Sequence, residues 1–170
     1  ALYDKLWAGM GMKVQRLIMA TSGPEARGWF TAPINSMADL TEDRFRTPPG
    51  IPGQTYKDIG VASVSMGGGD ILPALEKVTV DAAECCCPKP DLVFGFQKVL
   101  KNYYLQGLHQ NVVNGDIFFN KDVYNKLSKQ EKYAMEIASE AMITRNITNR
   151  AVENGKALIE LTSKHGVILH

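Results

Sequence analysis

Apolar and polar residues in Ala1-Leu2-Tyr3-Asp4-Lys5-Leu6-Trp7 follow an amphipathic helical pattern that opens without a capping residue or an initiating Met. It reads as a chain entered in mid-helix, with any signal peptide upstream. An apolar run from Val14 to Ala20, punctuated by Gln15 and Arg16, predicts a strand that Thr21-Ser22-Gly23-Pro24 ends. Gly28-Trp29-Phe30-Thr31 predicts a second short strand. Ser36-Met37-Ala38-Asp39 has capping-box spacing and starts one helical turn before a strand at Arg44-Phe45-Arg46. Thr47-Pro48-Pro49-Gly50 stops that strand, because neither proline can donate to a ladder.

From Gly53 to Ile59 the pattern predicts a short helix stopped by Gly60, then a strand over Val61 to Met66. Gly67-Gly68-Gly69 permits a tight turn into a helix carrying Ile71, Leu72 and Leu75, and the β-branched run Val78 to Ala83 predicts a buried strand. Leu92, Phe96, Val99 and Leu100 suit a further helix, and Asn114 to Asn120 a further strand. Ser128-Lys129-Gln130-Glu131 is a second capping box, from which a long helix with Ile137, Ala141 and Ile147 runs on, kinked at Gly155. Gly166-Val167-Ile168-Leu169 closes the chain as a short strand. Alternation of strand and helix between Arg44 and Ala83 implies an α/β fold with parallel pairing and right-handed crossovers.

Composition narrows the class. Nineteen Lys and Arg against eighteen Asp and Glu give a net charge of +1, with no basic block to track phosphates, which argues against nucleic acid as a partner. No apolar run reaches the ~20 residues of a membrane span. The only cysteines, Cys85, Cys86 and Cys87, are contiguous, a spacing from which neither a disulfide framework nor a tetrahedral zinc site is built; they read as small apolar fillers at the end of a strand.

Ligands of a parallel sheet bind outside the carboxyl ends of its strands, and Arg46, Met66 and Glu84 stand at or just after three such ends. A guanidinium there can hold a carboxylate through two parallel hydrogen bonds; Arg44 shares the face of Arg46, so alternation does not separate the two. Glu84 follows a buried strand, where a carboxylate requires a cation or donors to meet it, and Glu25 lies in a turn able to approach the same cleft. Two carboxylates beside an anionic ligand call for Arg46 and a hard ion such as calcium or sodium. His109, His165 and His170 are too scattered in sequence to predict a metal cluster, and no acid, base and nucleophile set of an enzyme assembles.

Taken in order, Gly28-Trp29-Phe30, Ile34-Asn35-Ser36, Arg44-Phe45-Arg46-Thr47-Pro48-Pro49-Gly50, Gly68-Gly69-Asp70-Ile71, Asp81-Ala82-Ala83-Glu84, Asn120-Lys121-Asp122-Val123 and His165-Gly166-Val167 resemble the DctP-type solute receptors of TRAP transporters, over essentially the whole chain. The resemblance begins near the family's middle and implies the C-terminal half of a two-lobed, periplasmic-binding-protein-like Venus flytrap fold with a parallel-rich sheet and long C-terminal helices. On that pattern, residues 1–24 belong to the first lobe, 25–112 form the second lobe carrying the ligand arginine, and 113–170 supply a crossing strand and long helices returning to the first lobe. The versions found here are most similar to the branch that binds 2-oxo and 2-hydroxy monocarboxylates with a metal ion.

The resemblance implies a non-enzymatic periplasmic receptor that delivers a small organic carboxylate to TRAP membrane components, with a homodimer as one arrangement. It matches Arg46 to the arginine that pairs with the ligand carboxylate and Glu84 to the acidic residue near ligand and metal. The implied ligand-lining set is Arg46, Glu84, Glu25, Cys85, Trp29 and Met66, and the implied metal ligands are Glu84, Glu25 and Cys85. Glu25 falls where that branch has a glutamine, Cys85 where the family has a tryptophan, and Val78 where a glycine is common. A cysteine-dependent metal or redox module on a receptor scaffold, with a vicinal disulfide formed in the oxidising periplasm, is the alternative.

Overall fold

Every strand expected before Val78 forms. The computed structural model describes residues 2–170, which group into two units, one comprising residues up to Gly23 with Val113–Arg150, the other Pro24–Val112 with Ala151–His170. Residues 151–170 thus group with the second unit.

In the first unit, helix α1 (Leu2–Gly9) precedes strand β1 (Val14–Ser22). β1 pairs antiparallel with β7 (Val113–Asn120), with a bulge between Ile18 and Ala20. Helix α6 (Lys121–Lys126) follows, capped by the Asn120 side chain, and then the 37-residue helix α7 (Lys129–His165). The Ser128 and Glu131 side chains cap α7 reciprocally, as the motif requires: each accepts from the other's backbone N–H. Gly155 does not interrupt the helix.

The second unit is built on a six-stranded sheet ordered β4-β3-β5-β2-β6-β8. These strands are β2 (Gly28–Phe30), β3 (Arg44–Thr47), β4 (Ala62–Ser65), β5 (Ala82–Ala83), β6 (Asn102–Tyr104) and β8 (Ile168–Leu169). β3 is parallel to both β4 and β5, as the strand-helix alternation predicts; β2 runs antiparallel to β5 and β6, and β8 is parallel to β6. Helices α2 (Met37–Glu42), α3 (Ile51–Asp58), α4 (Ile71–Glu76) and α5 (Pro88–Phe94) supply the connections. The Ser36 and Asp39 capping box is present at α2.

Period-two alternation divides the core into two layers. Trp29, Ala83 and Tyr103 join Ile71, Leu75, Phe96 and Leu161 in one cluster, while their neighbours Phe30, Ala82 and Tyr104 join Leu40, Phe45 and Tyr56 in the other. Both faces of the sheet are therefore covered. Trp29 stacks on Tyr103, and Phe30 on Phe45.

The strand expected over Val78 to Ala83 shrinks to Ala82–Ala83, because its first residues are used to end α4. Val78 and Thr79 donate to the Leu75 and Ala74 carbonyls, the paired bonds of a Schellman stop, and Val78 takes the left-handed conformation that stop demands, φ 53°. A glycine would adopt it freely, whereas a β-branched residue there is strained.

Candidate functional site

Three backbone ties bring the site together within the second unit. Glu84 extends the β5–β3 ladder by donating its N–H to the Arg46 carbonyl. The Glu25 N–H donates to Gln110, and the Ala26 N–H to Cys86. Two glycines make these approaches possible. A Cβ on Gly28 would lie 2.4 Å from the Ala83 carbonyl oxygen, and one on Gly107 2.3 Å from that of Glu25.

Arg46 is 5% exposed and its guanidinium is engaged by its own chain. Nε and Nη2 donate to the Met66 carbonyl at 3.2 and 2.9 Å, and Nη1 donates to the Glu84 carbonyl and to Glu84 Oε2, the latter at 3.3 Å. Arg46, Met66 and Glu84 are thus in direct contact, Met66 through its backbone. Arg44, its neighbour on the strand, points its fork at Asp81 with bonds of 2.6 and 2.7 Å, so the two arginines have different partners.

Glu84 is fully buried, and Glu25 nearly so. Between them stands His109, from the irregular stretch after β6: its Nε2 lies 3.5 Å from Glu84 Oε1 and 3.8 Å from Glu25 Oε2. One ligand atom from each of the three residues lies within 4.8 Å of the other two. His109 Nδ1 meets the hydroxyl of the buried Tyr56 at 3.0 Å. Glu84 Oε1 and His109 Nε2 are both buried and pair with each other. Burial works against an imidazolium here, but the Glu25 and Glu84 carboxylates outweigh it and lift His109 to about 9. Burial likewise pushes Glu84 up, with His109 and Arg46 opposing. An open pocket of about 600 Å³, lined by Pro48, Pro49, Ile51, Pro52 and His109–Val112, adjoins His109.

Sequence reasoning missed His109, since nothing local marks it; only the fold carries it to the two glutamates. Cys85 is not among the converging ligand atoms, and burial pushes its thiol up to about 12, so it stays protonated. The Cys86 and Cys87 sulfurs lie 3.4 Å apart, and the contact with Cys87 together with burial raises Cys86 far above a reactive thiol. Trp29 lies in the core opposite Ala83, its indole N–H donating to the buried Asp91. A further cavity, about 220 Å³ in the first unit, has a mainly apolar wall of Leu17, Ile18, Met19, Ile117, Phe119 and residues of α7.

Residues 5–170 match the DctP family, described as bacterial extracellular solute-binding protein, family 7. The chain belongs to that family. A monocarboxylate 2-oxoacid-binding periplasmic protein of Nostoc sp. (strain PCC 7120) is 32% identical over 144 residues, which cover 83% of this chain and 38% of that protein. A TRAP transporter solute-binding protein of Bordetella bronchiseptica is 29% identical with a TM-score of 0.87, over 98% of this chain and 48% of that one; its crystals held copurified calcium and picolinate in one active site of a mixed-occupancy dimer. A TRAP periplasmic solute-binding protein of Colwellia psychrerythraea, with bound calcium and pyruvate, is 26% identical with a TM-score of 0.86, over 99% and 51%. This DctP-family chain therefore spans about half the length of the solved structures, and less of the curated relative.

Proposed function

We propose that this chain is the part of a periplasmic receptor that holds the carboxylate group of a small 2-oxo or 2-hydroxy acid, together with a metal ion, for delivery to a TRAP-type membrane transporter. The observation that carries the reading is the buried cation Arg46 paired with Glu84, whose other oxygen converges with Glu25 and His109. Four of the five guanidinium N–H groups are used internally, counting one bond each from Nε and Nη2 and two from Nη1. Releasing the long contact to Glu84 Oε2 frees a second N–H, and the fork then presents two parallel donors to a ligand carboxylate.

Glu25 and Glu84 supply anionic oxygens for the ion, and His109 a third ligand atom, so the donor set fits a cation. When bound, the ion offsets repulsion between the glutamates and an anionic ligand and polarises the ligand's 2-oxygen. No bond is made or broken, and the site serves binding, not catalysis. The relatives' calcium with pyruvate or picolinate, and the 2-oxoacid-binding name of the Nostoc protein, support this ligand class.

A thermal-shift panel tests the reading. Pyruvate, lactate and longer 2-oxo acids, in the presence of divalent ion, are expected to raise Tm, while neutral sugars and amines leave it unchanged. A panel in which no carboxylate shifts Tm contradicts it.

A further inference from the structure

We propose that Cys86 and Cys87 form a reversible disulfide site, and that closing the bond between them weakens ligand binding beside Glu25 and Glu84. The second half rests on the receptor reading above and deepens it by naming a regulation of that site. Side chains of adjacent residues in an extended strand point to opposite faces. Here β5 has ended at Ala83 and the chain bends at Cys86, which brings the two sulfurs to 3.4 Å. A bond holds them at about 2.05 Å, an approach that side-chain rotation and a small backbone shift supply. Disulfides persist in extracellular proteins, the class to which the family belongs.

The ring that this bond closes contains the peptide group between Cys86 and Cys87. Adjacent Cα atoms stand about 3.8 Å apart, below the ~4.4–6.8 Å that a disulfide ordinarily spans, so closure distorts that peptide and leaves the bond easily reduced. The carbonyl of the same peptide is the Cys86 oxygen, which accepts the Ala26 N–H at 2.8 Å. Ala26 follows Glu25, whose carboxylate converges with Glu84 and His109. On the other side, Cys87 stands at the N-cap of α5 and its carbonyl accepts the Asp91 N–H at 3.1 Å, which anchors that end. Distortion therefore falls on the Ala26 tie and on the placing of Glu25.

The oxidant is a low-molecular-weight disulfide. Cys86, the less buried of the two, gives up its proton and attacks one sulfur of the oxidant, whose other half leaves as a thiolate. Cys87 then loses its proton and attacks the Cys86 sulfur, forming the Sγ–Sγ bond and expelling the second half. Two cysteine thiols are oxidised, one disulfide is reduced to two thiols, and the protons pass to the departing thiolates. The contact with Cys87 and burial keep Cys86 protonated, so the first step is slow and is driven by excess oxidant.

The test incubates the C85S variant, which retains only this pair, with excess oxidised glutathione, and follows it by intact mass, thiol alkylation and calorimetric titration of pyruvate with calcium present. The expected result is the loss of two hydrogens and of both alkylatable thiols, reversed by dithiothreitol. Pyruvate affinity should fall roughly tenfold on closure and recover on reduction, the effect of about one backbone hydrogen bond. Adding C86S or C87S to that background should abolish both the ring closure and the reversible change in affinity. Two thiols retained under excess oxidant, or two glutathiones carried without ring closure, overturn the site. Closure with unchanged pyruvate affinity overturns its coupling to the ligand. No uptake of pyruvate by the reduced protein sinks the receptor reading and the coupling with it, while the mass still decides whether the bond forms.

Discussion

Asp91 on α5 is fully buried with one oxygen, Oδ2, accepting from Trp29 Nε1 and from the Tyr103 hydroxyl, each at 2.9 Å, and the other, Oδ1, without a partner. Burial pushes its carboxyl from the ordinary 3.8 up to about 7, against the opposing effect of those two donors. Between these values the folded chain holds a proton that the unfolded chain has released, so the contribution to stability is complete below pH 3.8 and is lost as pH rises through 7. Over the interval from pH 5 to pH 8 the loss is about 2.5 kcal/mol, since each pKa unit corresponds to about 1.4 kcal/mol. Asp91→Asn keeps an acceptor for Trp29 and Tyr103 but cannot ionise. Urea unfolding of both proteins at pH 5 and pH 8 measures the difference, followed by Trp29 fluorescence in a Trp7→Phe background to report the second unit alone. His109 also contributes stability that is present below 6.5 and lost as pH rises through about 9, but it does so in both proteins and cancels. The stability drop in Asp91→Asn should be smaller by about 2.5 kcal/mol; equal drops in the two proteins would refute the linkage.

Val78→Gly should raise stability by about 0.5–1 kcal/mol, because it relieves a left-handed β-branched residue whose side chain is largely exposed; chemical denaturation with no gain removes the strain argument. Gly107→Ala should lower stability by more than about 2 kcal/mol, since its Cβ meets backbone and not a flexible side chain, and a thermal melt within a degree of the parent contradicts the close approach. Tyr56→Phe should cost about 1–2 kcal/mol by orphaning His109 Nδ1, measurable in the same denaturant series; no change means the hydroxyl contact contributes nothing.

Signals carried within a few residues survived into the fold. The Ser36–Asp39 and Ser128–Glu131 boxes start the helices they mark, and Pro48-Pro49 follows the end of β3, because each is a local hydrogen-bonding rule. β6 escaped notice: Asn102-Tyr103-Tyr104 is a three-residue strand whose two tyrosines face opposite core layers, so no alternation of apolar and polar positions announces it. The β-branched run at Val78 misled for the opposite reason, since strand propensity there yields to the hydrogen bonds that end α4. At the site, Arg46 and Glu84 were legible because they end adjacent parallel strands. His109 was not, since only the pairing of Glu25 with Gln110 draws its irregular segment alongside. The resemblance supplied the likeness to a receptor and named Cys85 and Trp29 for the site; in the fold burial pushes the Cys85 thiol up to about 12 and the Trp29 indole donates to Asp91.

The most direct test of the central claim, that Arg46 grips a carboxylate, is a calorimetric titration of pyruvate into the ion-loaded protein and its Arg46→Lys variant, with circular dichroism to show that both are folded. Replacing a planar fork by a point charge in this buried setting removes one of two parallel charged hydrogen bonds, and affinity should fall by about 1.5–3 kcal/mol, roughly 10- to 150-fold. Equal affinity in the two proteins would contradict the account and take Arg46 out of the site.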